Sequence, residues 1–335
     1  MEGMENMPPR TKRRHTDAQS EPEPPEIPLT RSTEYWFDDG NIILQVESTQ
    51  FRLAKSVLSM HSSVFRDMFS LPLPVNEPTI EGCPIVVLQG DTAQDWVLFL
   101  GAIFPKHYTE DPPNFDLFAA MLRLSKKYDF PRFRKDCVRR FKKEFPASFA
   151  EQCQLSSGWT YIFSEDEDGT LLLPLISLAR EIGLFSVLPP LYSNAVVSKQ
   201  SYMAKILDPE NPALGTIDRL ACLLGYAKLG ELESTTMFAW LDLDANPPKL
   251  PSSTCTDPVA CRAAIKDFAL AILARRPPDI WILHDWNEDW DGEMCSHCKK
   301  KAKGIYDTGR ETCWEQLSAA FGLPDWEELK SLDFE

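Results

Sequence analysis

The sequence predicts an α+β fold, in which a short β-sheet with helical hairpins is followed by an all-helical C-terminal region. Two observations predict it. Between residues 41 and 69 the hydrophobic period changes from the two-residue repeat of strands to the 3.6-residue repeat of helices. After the polar loop 165–169, apolar residues recur at helical spacing. A chain of 335 residues has room for about two domains that each bury a core.

The segment 41–53 has the pattern of a β-hairpin. Side chains alternate over 42–46, and the alternation resumes over 51–53 after the polar break 48–50. Such alternation is typical of half-buried strands.

The period becomes helical from Lys55 onwards. Ser62 and Ser63 are each suited to cap a helix, because a serine side chain accepts a hydrogen bond from a free backbone N–H. Two apolar pairs follow at i, i+4 spacing, which places the members of each pair on one helix face. These pairs are Val64 with Met68 and Phe65 with Phe69. A hairpin of two short helices is therefore predicted after the strands.

A Pro-rich loop over 71–84 precedes the apolar run 85–88, whose length and β-branched residues predict a buried strand. Two helices with apolar faces are predicted next. Their apolar residues are Trp96, Leu100, Ile103 and Phe104 in the first helix, and Phe115, Phe118, Ala119 and Leu122 in the second.

A basic helix is predicted over 132–143, where Phe133, Cys137 and Phe141 recur at every fourth position and most other residues are Arg or Lys. We interpret it as a solvated helix face that complements an acidic protein. Binding of an acidic partner or a nucleic acid by this face is the alternative interpretation.

The C-terminal half is predicted to be helical, because three segments place apolar residues at i, i+3, i+4 and i+7 or a similar spacing. The three faces are Leu175, Leu178, Ala179 and Ile182; Ile217, Leu220, Ala221 and Leu224; and Ile265, Phe268, Ala269 and Ile272.

The order of strands and helices in the first half resembles a BTB/POZ domain, whose core would end near Asp129. The stretches that carry the resemblance are 41–47, 51–58 and 62–69. Residues 33–335 as a whole resemble the BTB/POZ proteins that are abundant in mushroom-forming (basidiomycete) fungi. Further matches to their C-terminal tail are Cys295 with Cys298, 314–317 and 321–326.

Composition predicts a disordered basic and Pro-rich arm at 1–32, because its prolines and charges leave almost nothing to bury. The resemblance implies two further parts: a BTB/POZ domain with its trailing helix at 33–146, and a helical domain at 147–335. BTB domains are non-enzymatic interaction modules, so the resemblance implies an adaptor or oligomerisation scaffold whose partners are proteins, including a second copy of itself. Two alternatives stay open. The first is a substrate adaptor for a cullin-type ubiquitin ligase, and the second is a nuclear transcriptional regulator that binds nucleic acid or co-repressors.

Two positions depart from the family pattern. BTB domains usually have Asp where this chain has Asn41, and a His-Lys pair where it has Ala54-Lys55. In dimeric members those polar groups lie near the homodimer surface. The resemblance therefore does not extend to that particular dimer, and the oligomeric state is left open.

Composition restricts the function further. The formal charge of −15 and a pI near 4.9 argue against a protein whose main ligand is a phosphate backbone. The sequence has neither the roughly 20-residue apolar run of a membrane span nor the apolar core of a signal peptide. We therefore expect a location in the nucleus, the cytoplasm or both.

A short basic cluster lies in the N-terminal arm. Its members are Arg10, Lys12, Arg13 and Arg14. Clusters of this kind occur in nuclear import signals, and they also occur as solvated charge in disordered tails. Both interpretations stay open.

The cysteines provide the strongest candidate for site chemistry. Cys295 and Cys298 form a Cys-x-x-Cys pair, which can place two thiolates on one tetrahedral metal ion, and Cys255 and Cys261 form a second, wider pair. Together the four predict a structural zinc site near the end of the helical domain, with His297 and Cys313 as substitute ligands. Reduced inert thiols and a redox pair are the two alternatives.

No catalytic motif was found in the sequence. It lacks a glycine-rich dinucleotide loop, a phosphate-binding Gly-Lys-Ser/Thr loop, His-Glu-x-x-His and Gly-x-Ser-x-Gly. His284-Asp285 is a candidate acid-base pair, but its aromatic neighbours favour a structural histidine. We therefore predict no enzymatic activity and no bound cofactor other than the candidate zinc ion.

Overall fold

The structure is a computed structural model. The described residues are 28–334 without 73–77, 107–110, 156–157, 165–170, 198–199, 246, 274–279 and 281. The basic cluster Arg10, Lys12, Arg13 and Arg14 and the acidic loop predicted at 165–169 lie outside the described residues.

Within the described residues, five strands form one sheet in the order β1-β3-β2-β5-β4. Strands β2 and β3 form the predicted hairpin, with Ile42 opposite Leu53, and β2 pairs in parallel with β5 on its other side. The strands are β1 (Thr30–Trp36), β2 (Ile42–Val46), β3 (Thr49–Leu53), β4 (Thr79–Ile80) and β5 (Cys83–Leu88).

The predicted hairpin is confirmed, and its strand β2 is buried on both faces. Ile42 and Leu44 lie in the main core, and Ile43 is also fully buried although it points to the opposite face. In the sheet, Ile43 lies between Arg52 of β3 and Ile85 of β5.

The two edge strands lie where the sequence predicted no strand. Strand β1 begins at Thr30, inside the predicted arm, and β4 lies inside the predicted Pro-rich loop. Both are weak sequence signals: most of β1 is exposed, and β4 has only two residues. The expected buried strand at 85–88 is present as part of β5, but Val87 on it is 57% exposed.

The helical hairpin comprises α1 (Lys55–His61) and α2 (Ser63–Ser70). Of the two candidate caps, Ser62 caps α2: its side chain accepts a hydrogen bond from the N–H of Phe65 at 3.0 Å. The same hydroxyl donates to the carbonyl of Tyr128. Ser62 therefore joins α2 to the end of a later helix, and not only to its own first turn.

The helices after the sheet close its core. Phe65 packs against Tyr128 with ring centroids 5.0 Å apart and against Trp96 at 6.0 Å, and all three side chains are buried. The predicted helices are confirmed as α3 (Ala93–Ile103), α4 (Phe115–Lys127) and α5 (Pro131–Glu144).

The rest of the chain is helical, as predicted. It comprises α6 (Phe149–Gln152), α7 (Leu172–Ile182), α8 (Leu188–Val197), α9 (Gln200–Leu207), α10 (Thr216–Thr235), α11 (Pro258–Leu273), α12 (Ser296–Glu315), α13 (Leu317–Ala320) and α14 (Trp326–Leu332). No helix in the described part of the chain has both the length and the apolarity that crossing a bilayer requires.

The prediction for α10 was right about the helix and wrong about its buried face. Ile217, Leu220 and Leu224 are 72%, 55% and 56% exposed, and of the predicted face only Ala221 is buried. The buried side carries one large apolar residue, Leu229, and otherwise small or acidic residues. Its members are Asp218, Ala221, Cys222, Gly225, Leu229 and Glu233.

That inverted orientation has a physical cause. Asp218 accepts hydrogen bonds from Arg180 at 2.7 Å and from the buried Tyr192 hydroxyl, so its carboxylate is compensated inside the protein. Gly225 lies so close to the ring of Phe321 that a Cβ there would be 2.0 Å from it. The small and acidic side of α10 is therefore the side that fits against α8 and α13.

The C-terminal residues connect α5 to the helical region. The side chain of Asp333 is fully buried; it pairs with Lys142 of α5 at 2.9 Å and accepts hydrogen bonds from the N–H and hydroxyl of Ser186. Phe334 donates its N–H to the carbonyl of Gly183, and the ammonium of Lys126 lies 4.8 Å from its ring centroid. One hydrophobic core cluster runs from the sheet through these helices.

Replacement of Ser62 by Ala should lower the free energy of unfolding by about 1–3 kcal/mol, because the helix cap is lost and the Tyr128 carbonyl loses its donor. Urea denaturation measures the change. Ser56→Ala, at an exposed serine on α1, is the control and should change stability by less than about 0.5 kcal/mol. Equal effects of the two substitutions would contradict the role of Ser62.

Substitution by alanine should have different effects on the stability of the chain at two glycines of α12. A Cβ at Gly309 would lie 2.6 Å from backbone atoms of Met237, so Gly309→Ala should destabilise the chain by about 1–3 kcal/mol. No atom lies within 4 Å of a Cβ at Gly304, so Gly304→Ala should be neutral or stabilise by up to about 1 kcal/mol through helix propensity. Thermal unfolding of both variants measures the change in stability. A Gly309→Ala protein as stable as the wild type would contradict the close packing of Gly309 against Met237.

Candidate functional site

The four cysteines predicted as metal ligands lie at the start of two helices. Cys255 is in the loop before α11, and Cys261 is in the first turns of that helix. Cys295 is the N-cap residue of α12, and Cys298 is in its first turn. Each pair therefore consists of one cysteine from the residues that lead into a helix and one from the helix itself.

The fold brings all four sulfur atoms together. They lie within 4.8 Å of one another, and the Sγ atoms of Cys255 and Cys295 are 3.7 Å apart. A disulfide would need an S–S distance of about 2.05 Å. All nine cysteines lie in the described residues, and none of them forms a disulfide.

Backbone N–H groups point at the sulfur atoms. The N–H of Ser252 donates to the Sγ of Cys298 at 3.3 Å, and the N–H of Cys295 donates to the Sγ of Cys261 at 3.2 Å. These donors come from the connecting loops, so the loop geometry and the sulfur positions depend on each other.

The surroundings shift the pKa values of three of the thiols in different directions. Hydrogen bonds from the backbone of Thr256 and then of Cys298 lower the pKa of Cys295 to about 5. Burial raises the pKa of Cys298 to about 12 and also raises the pKa of Cys261. The cluster therefore combines a stabilised thiolate with thiols that are poorly hydrated.

The wide spacing of the first pair is explained by the loop that joins it. Asp257 caps α11 by accepting a hydrogen bond from the N–H of Ala260 at 3.0 Å, so the chain turns between Cys255 and Cys261 and directs both sulfur atoms to the same point. The spacing of the two cysteines in the sequence does not reveal this convergence, because it depends on the path of the loop.

The two substitute ligands lie elsewhere. His297 is exposed on α12, and Cys313 is buried with its sulfur 3.0 Å from the hydroxyl oxygen of Thr236. Among the described residues, neither belongs to the group of converging ligand atoms.

A cleft of about 1010 Å³ lies beside the cysteine cluster. One wall is the loop that contains Pro247, Lys249, Ser252 and Thr254, and α12 forms another wall. None of the described lining residues is acidic, although the whole chain carries a formal charge of −15. Sequence patterns did not reveal this cleft, because its walls come from segments far apart in the chain.

His284 and Asp285, the candidate acid-base pair, contact Tyr306 and Arg310 of α12. Asp285 forms an ion pair with Arg310 at 2.8 Å, and the hydroxyl of Tyr306 donates to the carbonyl of His284. Burial lowers the pKa of His284, and the positive charge of Arg310 lowers it further. These contacts agree with the interpretation of a structural histidine.

The basic helix α5 has many of its cations engaged within the chain. Arg139 and Arg140 both pair with Asp136, and Arg134 pairs with Asp129 at 2.7 Å. Ion pairing inside the chain reduces the charge that this face can offer to a phosphate backbone. The arrangement favours the interpretation of a solvated, internally compensated helix.

Two groups of exposed apolar side chains are candidate contact surfaces. The helical hairpin exposes Met60, Val64 and Leu71, which we call the hairpin surface. Helix α10 exposes the residues that we call the α10 stripe. These are Ile217, Leu220, Leu223 and Leu224.

The two positions that depart from the family pattern have a local structural role. Asn41 accepts a hydrogen bond from the N–H of Lys55 at 2.8 Å, and Ala54, the N-cap residue of α1, has no capping side chain. Asn41 therefore caps α1 from the start of β2.

The comparisons with known proteins give one result. Residues 36–144 match the model of the BTB/POZ domain, and no curated protein matches the chain. The match ends at Glu144, the last residue of α5. This chain therefore contains a BTB/POZ domain at residues 36–144, which is a protein-protein interaction module, followed by a helical C-terminal region.

Proposed function

We propose that the chain is a non-enzymatic adaptor that joins two protein partners, one through its BTB/POZ domain and one through the α10 stripe. The observation that carries the proposal is the exposure of four large apolar residues along one helix. These are Ile217, Leu220, Leu223 and Leu224, with exposures of 72%, 55%, 39% and 56%.

Exposed apolar groups of this size mark contact surfaces in soluble proteins. Single exposed leucines are common and need no explanation. Here, however, Ile217, Leu220 and Leu224 recur at i, i+3 and i+7, so they lie along one side of a 20-residue helix. A helix face of this kind fits a partner that covers it with an apolar surface of its own.

The hairpin surface provides the second contact. Met60, in the last turn of α1, is 73% exposed, and Leu71, directly after α2, is 67% exposed. The second copy of the chain and a cullin are the occupants that the family suggests for a BTB domain. The self-associating form would make the protein an oligomerisation scaffold, and the cullin-bound form would make it a ligase adaptor.

The other alternative, a nuclear regulator that binds nucleic acid, has less support. It would use the basic face of α5, where Asp136 already pairs with Arg139 and Arg140. A co-repressor bound at the α10 stripe is compatible with the adaptor proposal. Kinship with the basidiomycete-type BTB/POZ proteins remains part of the proposal and rests on the sequence of the tail, 314–317 and 321–326.

The test compares tagged proteins purified from their native cells. Leu220→Asp combined with Leu224→Asp places two charges in the proposed interface, and an unpaired charge at an interface costs about 2–5 kcal/mol, so recovery of one partner should fall more than about tenfold. Met60→Asp should remove a different partner or self-association. Mass spectrometry identifies the partners, and light scattering of purified protein measures the oligomeric state.

Leu270→Asp is the matched control, because Leu270 is 63% exposed but lies on a different helix, α11. It should retain every partner of the wild type. The adaptor proposal fails if the α10 variant, the Met60 variant and the control all recover the wild-type partners and keep the wild-type oligomeric state.

A further inference from the structure

We propose that Cys255, Cys261, Cys295 and Cys298 bind one zinc ion that fastens the loop before α11 to the start of α12. The ion would be structural and would be independent of the partners of the BTB/POZ domain. Four converging thiols, two from each of two helix starts, carry the inference.

The distances fit a tetrahedral thiolate site. With a zinc-sulfur bond of about 2.3 Å, the sulfur atoms of a tetrahedron are about 3.8 Å apart. The Sγ atoms of Cys255 and Cys295 are 3.7 Å apart, and all four lie within 4.8 Å of one another. Small side-chain rotations are therefore enough to bring all four to the ion.

The surrounding groups suit four thiolates and a divalent cation, which together carry two negative charges. N–H groups from Ser252 and Cys295 donate to sulfur atoms, and donors of this kind orient metal ligands and offset their charge. Both helix starts also direct the positive ends of their dipoles at the site. On binding, each thiol that is still protonated releases its proton to solvent.

The two alternatives to a zinc site, a redox pair and inert thiols, account for fewer of these observations. A redox pair would use two sulfur atoms and would follow a strand, whereas Cys295 follows a 3₁₀ turn over Glu288–Asp291. Inert thiols have no reason to converge in a group of four. Four thiolates also fill every position of a tetrahedral ion, which is typical of structural sites and leaves no open position for catalysis.

The ion would stabilise a long connection. The 236–257 segment between α10 and α11 has no helix or strand in its described residues, and it forms one wall of the cleft beside the cluster. Ser252 and Thr254 of that wall precede Cys255 closely in the chain, and His297 of the opposite wall lies between Cys295 and Cys298. Zinc would therefore fix the two walls of the cleft relative to each other.

The experiment is metal analysis of the full-length chain, purified without chelators. We expect about one equivalent of zinc, as in tetrahedral structural sites. Cys255→Ser, at a half-buried loop position, should lower the zinc content several-fold, and so should the combination of Cys295→Ser with Cys298→Ser. Cys153→Ser, at an exposed cysteine outside the cluster, is the matched control and should retain the metal.

Cobalt provides a second measurement that does not depend on the folding of a variant. Wild-type chain stripped of metal and titrated with Co²⁺ should show the visible absorption bands of tetrahedral cobalt thiolate, and zinc should then displace the cobalt. Metal-free wild-type protein that gives no such bands would overturn the proposal. So would one equivalent of iron in place of zinc, or full zinc retention by both cluster variants.

Discussion

The buried carboxylate of Asp333 links the two parts of the chain. It pairs with Lys142 on the last BTB helix and accepts two hydrogen bonds from Ser186 in the helical region. A buried charge is costly unless all its partners are in place, so separating the two parts would leave this carboxylate without its partners. The hydrophobic core cluster extends on both sides of it, from Ile42 in the sheet to Phe321 near the C-terminus.

That constraint makes the chain more than a BTB/POZ domain with an attached tail. The hairpin surface and the α10 stripe belong to one packed body, because α10 packs on α8, α8 packs on α7 and α7 contacts α4. Two partners bound to these surfaces would therefore be held at a fixed distance and orientation. The cysteine cluster would add a second fixed point, between the loop before α11 and the start of α12.

The sequence predicted the parts of the fold that depend on local periodicity. The hairpin, the helical hairpin, α3 to α5 and the helical C-terminal region follow from patterns that neighbouring residues determine. Burial could not be predicted in the same way. On α10, Ile217 and Leu220 have the spacing of a core face, but the compensated carboxylate of Asp218 and the contact of Gly225 with Phe321 turn the opposite side inward. Both contacts join residues far apart in the chain, so no local pattern contains them.

The BTB/POZ domain and the helical region share one hydrophobic core, so we expect them to unfold as one cooperative unit. Hydrogen exchange of the native chain at increasing denaturant tests it most directly, because it gives an opening free energy for each helix. We predict that the slowest amides of α4 and α7 converge on the same opening free energy as denaturant rises. Loss of protection in α7 at a denaturant concentration where α4 remains fully protected would contradict the claim.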